Sequence, residues 1–350
     1  MGEEMVSLIR ACAVVPAALG YCYVLPFWTS IGRRRLLAVL PVVVLFAVLP
    51  LSFRTIHLRG ISAFFLSWLA TFKLLLFSLG RGPLSPTGPI PPSSFLTFLA
   101  VAALPIKVRR KQPPPQPQPP RARGAPRPLL TLLGFAAKGF LLAFIVSVYP
   151  HRRRLHRGLV LGLYCVHMYL SLDMVLAAAA AAGRALLPAG TELAPQFAAP
   201  YLSSSLQDFW GRRWNLMVSD ILRSAVYAPV RAAWGSTTGV MAAFLVSGLM
   251  HEIMFYYLTM KPPTGEVGFF FALHGACMAA EITAKRWWAR RGMGGPLNLA
   301  VAAPLTIGFL VATGIWLFFP QITRSGAEEA VVSEAEALVG LLWGAGGRAR

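Results

Sequence analysis

Long apolar runs separated by short polar segments dominate the pattern of this chain. A hydrocarbon core about 30 Å thick is crossed by about 20 apolar residues in a helix. Runs of that length predict eight membrane-spanning helices, over residues 7–28, 36–53, 61–80, 129–149, 158–183, 236–259, 267–284 and 297–319. The runs are continuous rather than alternating, which favours helices over a β-barrel. The apolar stretch 94–106 is too short to cross, so a re-entrant or interfacial piece is predicted there.

The remaining segments complete a predicted single integral membrane domain over 1–350. Residues 107–128 are dominated by Pro, Gln, Arg and Lys and contain no acid, which predicts an extended, exposed linker. Residues 325–350 begin with four glutamates among small residues and then become weakly apolar. This tail is predicted to be a surface helix or a frayed end. The expected fold class is all-α and polytopic.

The composition agrees with this layout and explains the excess of positive charge. Of 350 residues, 56% are hydrophobic and 13% are charged, about half the usual share in a soluble domain. The formal net charge is +20, and its arginine clusters lie in loops between the apolar runs. Such loops are typical of the cytosolic side of a membrane, beside anionic lipid headgroups. No nucleic-acid partner is expected, since no recognition fold is visible.

The same charges make one prediction that conflicts with the span count. Placing Arg33–Arg35 in the cytosol puts 107–127, 184–235 and 285–291 there as well. Eight spans then leave the loop 151–157, with four arginines, on the opposite side. The conflict disappears if one span is miscounted.

Ionisable residues at membrane depth are costly and mark function by default. For the lysines, pairing with an acid or snorkelling is favoured over catalysis, and for the isolated histidines, hydrogen-bonded packing is favoured. An acid four residues before a lysine predicts an ion pair at a helix end. The candidates are Lys73, Lys138, His167, Asp173, His251, Glu252, His274 and Glu281, the last of these preceding Lys285.

His251 has the most suggestive setting, in the segment FLVSGLMHEIMFYYLT over 244–259. Ser247 lies four residues earlier on the same helix face, and Gly248 opens room beside it. Glu252 points elsewhere. The segment lacks the second histidine that a zinc site of this type requires, so no metal is expected. A neutral imidazole at this depth suits a general base.

A second polar segment, SSSLQDFWGRRWNLMVSDILRSAVYAPVR over 203–231, mixes aromatic, basic and amide side chains. Tryptophan beside arginine is typical of a membrane interface, which favours an amphipathic interfacial helix. The arginines Arg212, Arg213, Arg223 and Arg231 would also suit phosphate groups of an anionic ligand. Composition alone leaves both interpretations open.

Two motifs carry a resemblance to a known family. DFWGRRWN over 208–215 and SGLMHE over 247–252 resemble the membrane-bound O-acyltransferase superfamily. The longer forms DFWGRRWNLMVSDILR and FLVSGLMHE are similar to the plant wax synthases, the long-chain-alcohol O-fatty-acyltransferases of the jojoba type. The close resemblance covers about 205–260, which it marks as the catalytic region.

The resemblance implies an enzyme of the endoplasmic reticulum membrane. It would transfer the acyl group of a fatty acyl-CoA, its co-substrate, to a long-chain alcohol, giving a wax ester and CoA. No permanently bound cofactor is implied. By the resemblance, His251 and Asn215 are the catalytic residues. A further set would shape the entrance for CoA: Trp210, Arg212, Arg213, Trp214 and Arg223.

Other functions stay open at this stage. The same chemistry with a sterol or a glycerolipid as acceptor cannot be separated, because an apolar acceptor pocket has no readable code. A transporter or a non-enzymatic scaffold belongs to a different class, and no inverted repeat of broken helices is evident. The oligomeric state is open as well.

Overall fold

The computed structural model of the chain describes residues 2–86, 88–89, 94–109, 128–292 and 298–347. The linker predicted for 107–128 therefore lies outside the described residues from 110 to 127. The α-helices are α1 (Gly2–Val24), α2 (Arg33–Val48), α3 (Ile56–Ser62), α4 (Thr71–Ser78), α5 (Phe95–Ala103), α6 (Pro128–Val148), α7 (Arg157–Leu186), α8 (Leu206–Asp208), α9 (Leu216–Leu222), α10 (Ala228–Thr259), α11 (Glu266–Arg290), α12 (Leu299–Thr313), α13 (Pro320–Ser325) and α14 (Ala327–Gly347).

Short segments of other helical type extend or join these helices. Wider, π-helical turns occupy Ala63–Ala70, Phe209–Arg213, Arg223–Tyr227 and Gly314–Phe318. Tighter 3₁₀ turns occupy Leu25–Phe27, Leu49–Ser52, Tyr149–Arg154 and Pro200–Leu202. A single antiparallel bridge pairs Val108 with Leu193 among the described residues.

The prediction of eight membrane-spanning helices is confirmed. Within the described residues, eight helices are long and apolar enough to cross a membrane: Gly2–Phe27, Arg33–Ser52, Ile56–Ser78, Leu132–Arg154, Arg157–Leu186, Leu216–Thr259, Glu266–Arg290 and Leu299–Ser325. The sixth starts earlier than predicted, because α9 runs into α10 through a π-helical segment. Its interior breaks at Gly235, where φ is 87° and ψ is 172°. Glycine adopts this conformation at little steric cost, and the predicted start at 236 coincides with the break.

The stretch 94–106 contains the short helix α5, which at nine residues is about 14 Å long and cannot cross. The Ser94 hydroxyl caps its first turn by accepting from the Thr97 amide, 3.2 Å away. At its other end Lys73 Nζ donates to the carbonyls of Val101 (2.7 Å) and Leu104 (2.6 Å). The expectation that Lys73 pairs with an acid or snorkels was wrong. The Lys73 amine instead donates to carbonyls left without partners at the C-terminal end of a buried helix.

The other predicted ion pairs are present. Lys138 of α6 forms an ion pair with Asp173 of α7. Lys285 Nζ lies 2.6 Å from Glu281 Oε1, as the spacing predicted. The second oxygen of Glu281 also accepts from the Leu206 amide at 2.9 Å, which ties the start of the first motif region to α11.

Alternating spans give the bundle two faces. The motif face carries residues 28–32, 79–86 and 187–215, and the tail face carries 53–55, 155–156 and 260–265. The arginines of 151–157 therefore lie opposite Arg33–Arg35, and the confirmed span count leaves the charge conflict in place. One of those arginines, Arg152, lies 3.5 Å from the carboxylate of Glu328, which compensates its charge.

The C-terminal tail forms a packed helix at the tail face. In α14, Val332 and Ala335 are buried in a cluster with Ile145 and Tyr149. Glu334 accepts from the amides of Ile56 (2.8 Å) and His57 (3.1 Å), so the carboxylate caps the first turn of α3. The tail is therefore a helix held by one buried face and by a cap on a neighbouring helix.

Candidate active site

A cavity of about 910 Å³ lies within the helical bundle. This volume is near the upper end of the range for small-molecule sites. Its wall is mostly apolar and aromatic, and it is formed by segments from α3 to α14. The cavity brings together six of the predicted site residues: Trp210, Arg212, Trp214, Asn215, Arg223 and His251.

The hydrogen bond of His251 fixes which ring nitrogen faces the cavity. Nδ1 lies 2.7 Å from the backbone carbonyl oxygen of Ser247, one turn earlier on α10. A carbonyl only accepts, so Nδ1 carries the hydrogen and donates. In the neutral ring Nε2 then has its lone pair free. The predicted proximity of Ser247 is correct, but the contact uses its carbonyl rather than its hydroxyl.

Aromatic rings hold the imidazole in place. Phe271 stacks on His251 at 4.1 Å between ring centroids, with planes 28° apart. Trp68 meets it edge-on at 4.8 Å, and Phe318 at 6.1 Å. These residues lie outside both motifs, and no pattern around His251 in the sequence identified them. The wall around the imidazole is therefore apolar.

Gly248 makes the stacking possible by letting α11 approach α10. A Cβ at Gly248 would meet the Gly268 carbonyl oxygen and the Phe271 Cβ, each at 3.2 Å. The room predicted beside Gly248 is thus filled by the neighbouring helix. Glu252 strengthens the same contact, because its Oε1 accepts from the Gly268 amide at 2.7 Å. As predicted, Glu252 does not form a dyad with His251.

Asn215 lies at the cavity wall in a left-handed backbone conformation, with φ of 36°. Asparagine tolerates this conformation better than most residues. Its side-chain oxygen caps α9 by accepting from the Val218 amide at 3.4 Å. The side-chain NH₂ makes no hydrogen bond with any residue in the described ranges. Asn215 therefore offers the cavity a donor from a buried, capped position.

The two tryptophans of the first motif are held in different ways. The Trp210 indole nitrogen donates to Nδ1 of His274 at 3.2 Å. Trp214 stacks on Phe209 at 5.2 Å between centroids, with planes 17° apart. The Ser219 hydroxyl donates to the Trp210 carbonyl at 2.9 Å, which joins the π-helical turn to α9. Both rings are thereby fixed at the wall of the cavity.

The arginines differ in their contacts, and Arg231 lies over the ring of Tyr227, 5.9 Å from its centroid. Arg212, Arg223 and Arg231 are exposed and line the cavity, and within the described ranges none forms an ion pair or a side-chain hydrogen bond. Arg213 does not line it. Its Nε lies 2.7 Å from Asp208, and its NH1 donates to the carbonyls of Ala198 and Ala199. The guanidinium of Arg213 thus holds the 198–208 loop together.

This difference predicts a stability role for Arg213. Burial raises the pKa of Asp208, but hydrogen bonds from Arg213 and the Ser204 amide outweigh burial and hold it below its usual range. A carboxyl with a lowered pKa stabilises the fold above its ordinary pKa, and that stability is lost as the pH falls through the lowered value. Arg213→Gln should lower the melting temperature of detergent-solubilised protein by roughly 2–6 °C at pH 7.

The control for this measurement is Arg212→Gln, which should lower the melting temperature much less, because Arg212 acts on Asp208 only through its charge, the smallest of the effects that lower the pKa of Asp208. The gap between Arg213→Gln and the parent should narrow as the pH falls from the ordinary pKa of an aspartate through the lowered pKa of Asp208, because the parent's carboxylate is then protonated and no longer pairs with Arg213. An equal effect of the two variants would contradict the assignment.

The tail-face end of the cavity is polar and was not predicted as a site. The Tyr149 hydroxyl lies 2.9 Å from Nδ1 of His167, so His167 is a hydrogen-bonded packing residue, as expected. Tyr164 donates to Glu328 of α14. His57 lies 2.8 Å from the Glu334 carboxylate. The tyrosines and His57 belong to separate apolar or loop segments, so no pattern in the sequence indicates that they meet.

The fold and the cavity together define a polytopic membrane protein with a histidine and an asparagine facing one internal chamber. A model of the membrane bound O-acyl transferase family matches residues 193–272. The probable long-chain-alcohol O-fatty-acyltransferase 1 of Arabidopsis thaliana is 43% identical over 343 residues, covering 95% of this chain and 96% of that protein.

Two further relatives match over nearly their full length. The long-chain-alcohol O-fatty-acyltransferase of Simmondsia chinensis is 43% identical over 329 residues, covering 91% of this chain and 90% of that protein. The acyl-CoA–sterol O-acyltransferase 1 of Arabidopsis thaliana is 38% identical over 341 residues, or 95% of each. The chain belongs to the membrane bound O-acyl transferase family, in the group that contains the plant long-chain-alcohol O-fatty-acyltransferases.

Proposed function

We propose that this protein transfers the acyl group of a fatty acyl-CoA to the hydroxyl of a long-chain alcohol, releasing a wax ester and CoA. The observation that carries the proposal is the chamber, where the free Nε2 of His251 and the Asn215 amide share one apolar cavity with unpaired arginines. The names of the full-length relatives agree with it.

His251 acts as the general base in the proposed reaction. Its Nε2 takes the hydroxyl proton as the alcohol oxygen attacks the thioester carbonyl carbon. A carbon–oxygen bond forms and a tetrahedral oxyanion results. When the carbon–sulfur bond breaks, CoA leaves and the imidazolium returns the proton to the sulfur. The Ser247 carbonyl keeps the hydrogen on Nδ1 and so keeps Nε2 directed to the chemistry.

Asn215 stabilises the oxyanion in this proposal. Its side-chain oxygen is committed to the cap of α9, which leaves the NH₂ as the group available to the cavity. A fixed donor aimed at developing negative charge acts only in the transition state and requires no rearrangement during the reaction. The capped, left-handed position of Asn215 supplies that fixed geometry.

The apolar wall suits both substrates and protects the thioester. A fatty acyl chain and a long-chain alcohol are both lipids, so a chamber at membrane depth accepts them without exposing them to water. Excluding water also prevents hydrolysis of the thioester in place of transfer. We propose the endoplasmic reticulum membrane as the location, with the motif face toward the cytosol, where the arginines meet acyl-CoA.

Arg212, Arg223 and Arg231 are proposed to bind the phosphate groups of CoA. Arginine presents a planar fork of donors that matches phosphate oxygens. Replacing each with glutamine should raise the KM for acyl-CoA about 5–10-fold at low salt, with a smaller effect on kcat. High salt should reduce the difference, because exposed charges are screened.

Two controls sharpen this test. Arg290→Gln removes an exposed arginine that does not line the cavity and should leave the KM unchanged. An acyl thioester of N-acetylcysteamine lacks phosphates, so the parent and the three variants should use it equally well. A KM that rises for both thioesters would contradict phosphate recognition.

A sterol acceptor is the second candidate, favoured by the full-length similarity to a protein named acyl-CoA–sterol O-acyltransferase 1. Expression in a yeast strain deficient in neutral lipids, with and without hexadecanol, separates the two acceptors. Wax ester that appears with hexadecanol supports the first proposal. Sterol ester without wax ester would favour the second, and neither product would overturn both.

A further inference from the structure

His274 is fully buried on α11 and does not line the cavity, yet it is bonded to a residue that does. Its Nδ1 accepts from the Trp210 indole at 3.2 Å. Its Nε2 lies 2.9 Å from the hydroxyl oxygen of Thr313 on α12. The Thr313 hydroxyl in turn donates to the Phe309 carbonyl at 2.7 Å.

These hydrogen bonds form a relay in which every donor-to-acceptor step points the same way, from Trp210 to Phe309. The indole donates to His274, His274 donates to Thr313, and Thr313 donates to a carbonyl that only accepts. A single neutral tautomer, with the hydrogen on Nε2, satisfies every step. Both ring nitrogens are therefore occupied. His274 has no lone pair left for a substrate, in contrast to His251.

Contacts between aromatic rings connect this hydrogen-bond relay to the imidazole of His251. Trp210 and Phe271 lie 5.7 Å apart between ring centroids. Phe271 is the ring that stacks on His251 at 4.1 Å. Trp210 lies in the π-helical turn Phe209–Arg213, where the regular α-helical hydrogen bonds are absent. The orientation of its indole therefore depends on the bond to His274 and on the surrounding rings.

We propose that His274 is a positioning residue for acyl transfer. It holds the Trp210 indole against the chamber wall and, through Phe271, fixes the imidazole of His251. The inference rests on the proposed function, since it concerns the alignment of the base with the alcohol and the thioester. Misplacing a catalytic group by about 1 Å costs up to about a hundredfold in rate.

Two substitutions of His274 separate positioning from bulk packing. His274→Phe keeps an aromatic ring and removes both hydrogen bonds, whereas His274→Gln keeps an acceptor and a donor. With acyl-CoA and hexadecanol, His274→Phe should lower kcat about 10–50-fold with little change in the KM for acyl-CoA. His274→Gln should recover most of that loss. Normal kcat in a folded His274→Phe protein would overturn the proposal.

A double substitution tests the connection to Trp210. Trp210→Phe removes the indole donor, and adding His274→Phe should lower kcat no further, because both changes break the same bond. A multiplicative loss would show that His274 acts elsewhere. The pH dependence of kcat/KM in His274→Gln should match the parent, because His274 exchanges no proton with substrate. A shifted profile would contradict a positioning role.

Two measurements keep the test decisive if a variant folds poorly or turnover is absent. Thr313→Val removes the acceptor of His274 while keeping side-chain shape, and it should lower kcat in protein that remains folded. In protein labelled with 5-fluorotryptophan, the ¹⁹F resonance lost in Trp210→Phe should shift in Thr313→Val and His274→Phe. An unshifted resonance overturns the positioning inference, whereas a shift without any acyl transfer overturns the proposed function alone.

Discussion

Replacing His251 with glutamine should reduce alcohol-dependent release of CoA by about a thousandfold or more. Glutamine fills a similar volume but has no lone pair of comparable basicity, so the alcohol oxygen would attack with its proton still attached. The loss should appear in kcat at an almost unchanged KM for acyl-CoA, because no proton has moved in the ground state.

The measurement uses microsomes with radiolabelled acyl-CoA and hexadecanol, at equal protein abundance. His251→Ala also removes the base but does not fill the volume of the imidazole. It leaves a gap between Phe271 and Trp68, where the imidazole ring had packed. Full wax ester formation by either variant would overturn the role of His251.

A second histidine of the chamber provides the matched control. His167 also lines the cavity and also has one ring nitrogen in a hydrogen bond, in this case with Tyr149. His167→Gln removes an imidazole from the same cavity but leaves the base in place. We expect it to retain at least about a tenth of parental kcat. A comparable loss in both variants would mean that any imidazole of the chamber matters equally.

The membrane architecture could be predicted from the sequence because a bilayer leaves few solutions. Each long apolar run satisfies its own backbone hydrogen bonds only as a helix, and the run length then gives the span. Even the break at Gly235 was visible as the polar edge of the sixth run. The contact of Lys73 with the end of α5 could not be predicted, since its partners are backbone carbonyls, which carry no sequence signal.

The candidate site was predictable only for residues that lie within the two motifs. His251 and Asn215 belong to recognisable segments, whereas Trp68, Phe271 and Phe318 are aromatic residues in apolar runs that contain many others. Which of those rings surrounds the imidazole depends on helix packing across the bundle. The π-helical turns posed the same difficulty. Within the described chain each of the four contributes residues to the cavity wall, yet no residue type marks them.

Replacing Asn215 should have the second-largest effect, provided that its structural and chemical roles are separated. The residue adopts a left-handed conformation, caps α9 and presents an NH₂ donor to the cavity. Alanine would remove the cap and the donor and would also strain the backbone at a φ of 36°. A loss of activity in Asn215→Ala would therefore not identify the cause.

Aspartate and glycine divide these roles between them. Asn215→Asp keeps an oxygen that can cap α9 and a residue that tolerates the left-handed conformation, but it has no NH₂ donor. Asn215→Gly keeps the backbone conformation without strain and introduces no charge, while it loses both the cap and the donor. Loss of the NH₂ donor is the one change that the two variants have in common.

Both variants should therefore lose about a hundredfold to a thousandfold in kcat, the usual effect of removing one oxyanion donor. The KM for acyl-CoA should change little, because the oxyanion exists only in the transition state. Melting temperatures should stay within a few degrees of the parent, since glycine at an N-cap costs only a few tenths of a kcal/mol. Near-normal turnover in Asn215→Gly would overturn the donor role.

Asn298 supplies a matched control for the change of residue type. Its side-chain oxygen caps α12 by accepting from the Ala300 amide at 3.0 Å, and Asn298 does not line the cavity. Asn298→Gly removes the same cap chemistry from a helix that carries no catalytic residue, so it should leave kcat unchanged. If Asn298→Gly lowered kcat as much as Asn215→Gly, loss of helix capping alone would explain both results. A loss confined to position 215 assigns the effect to the NH₂ group at the cavity wall.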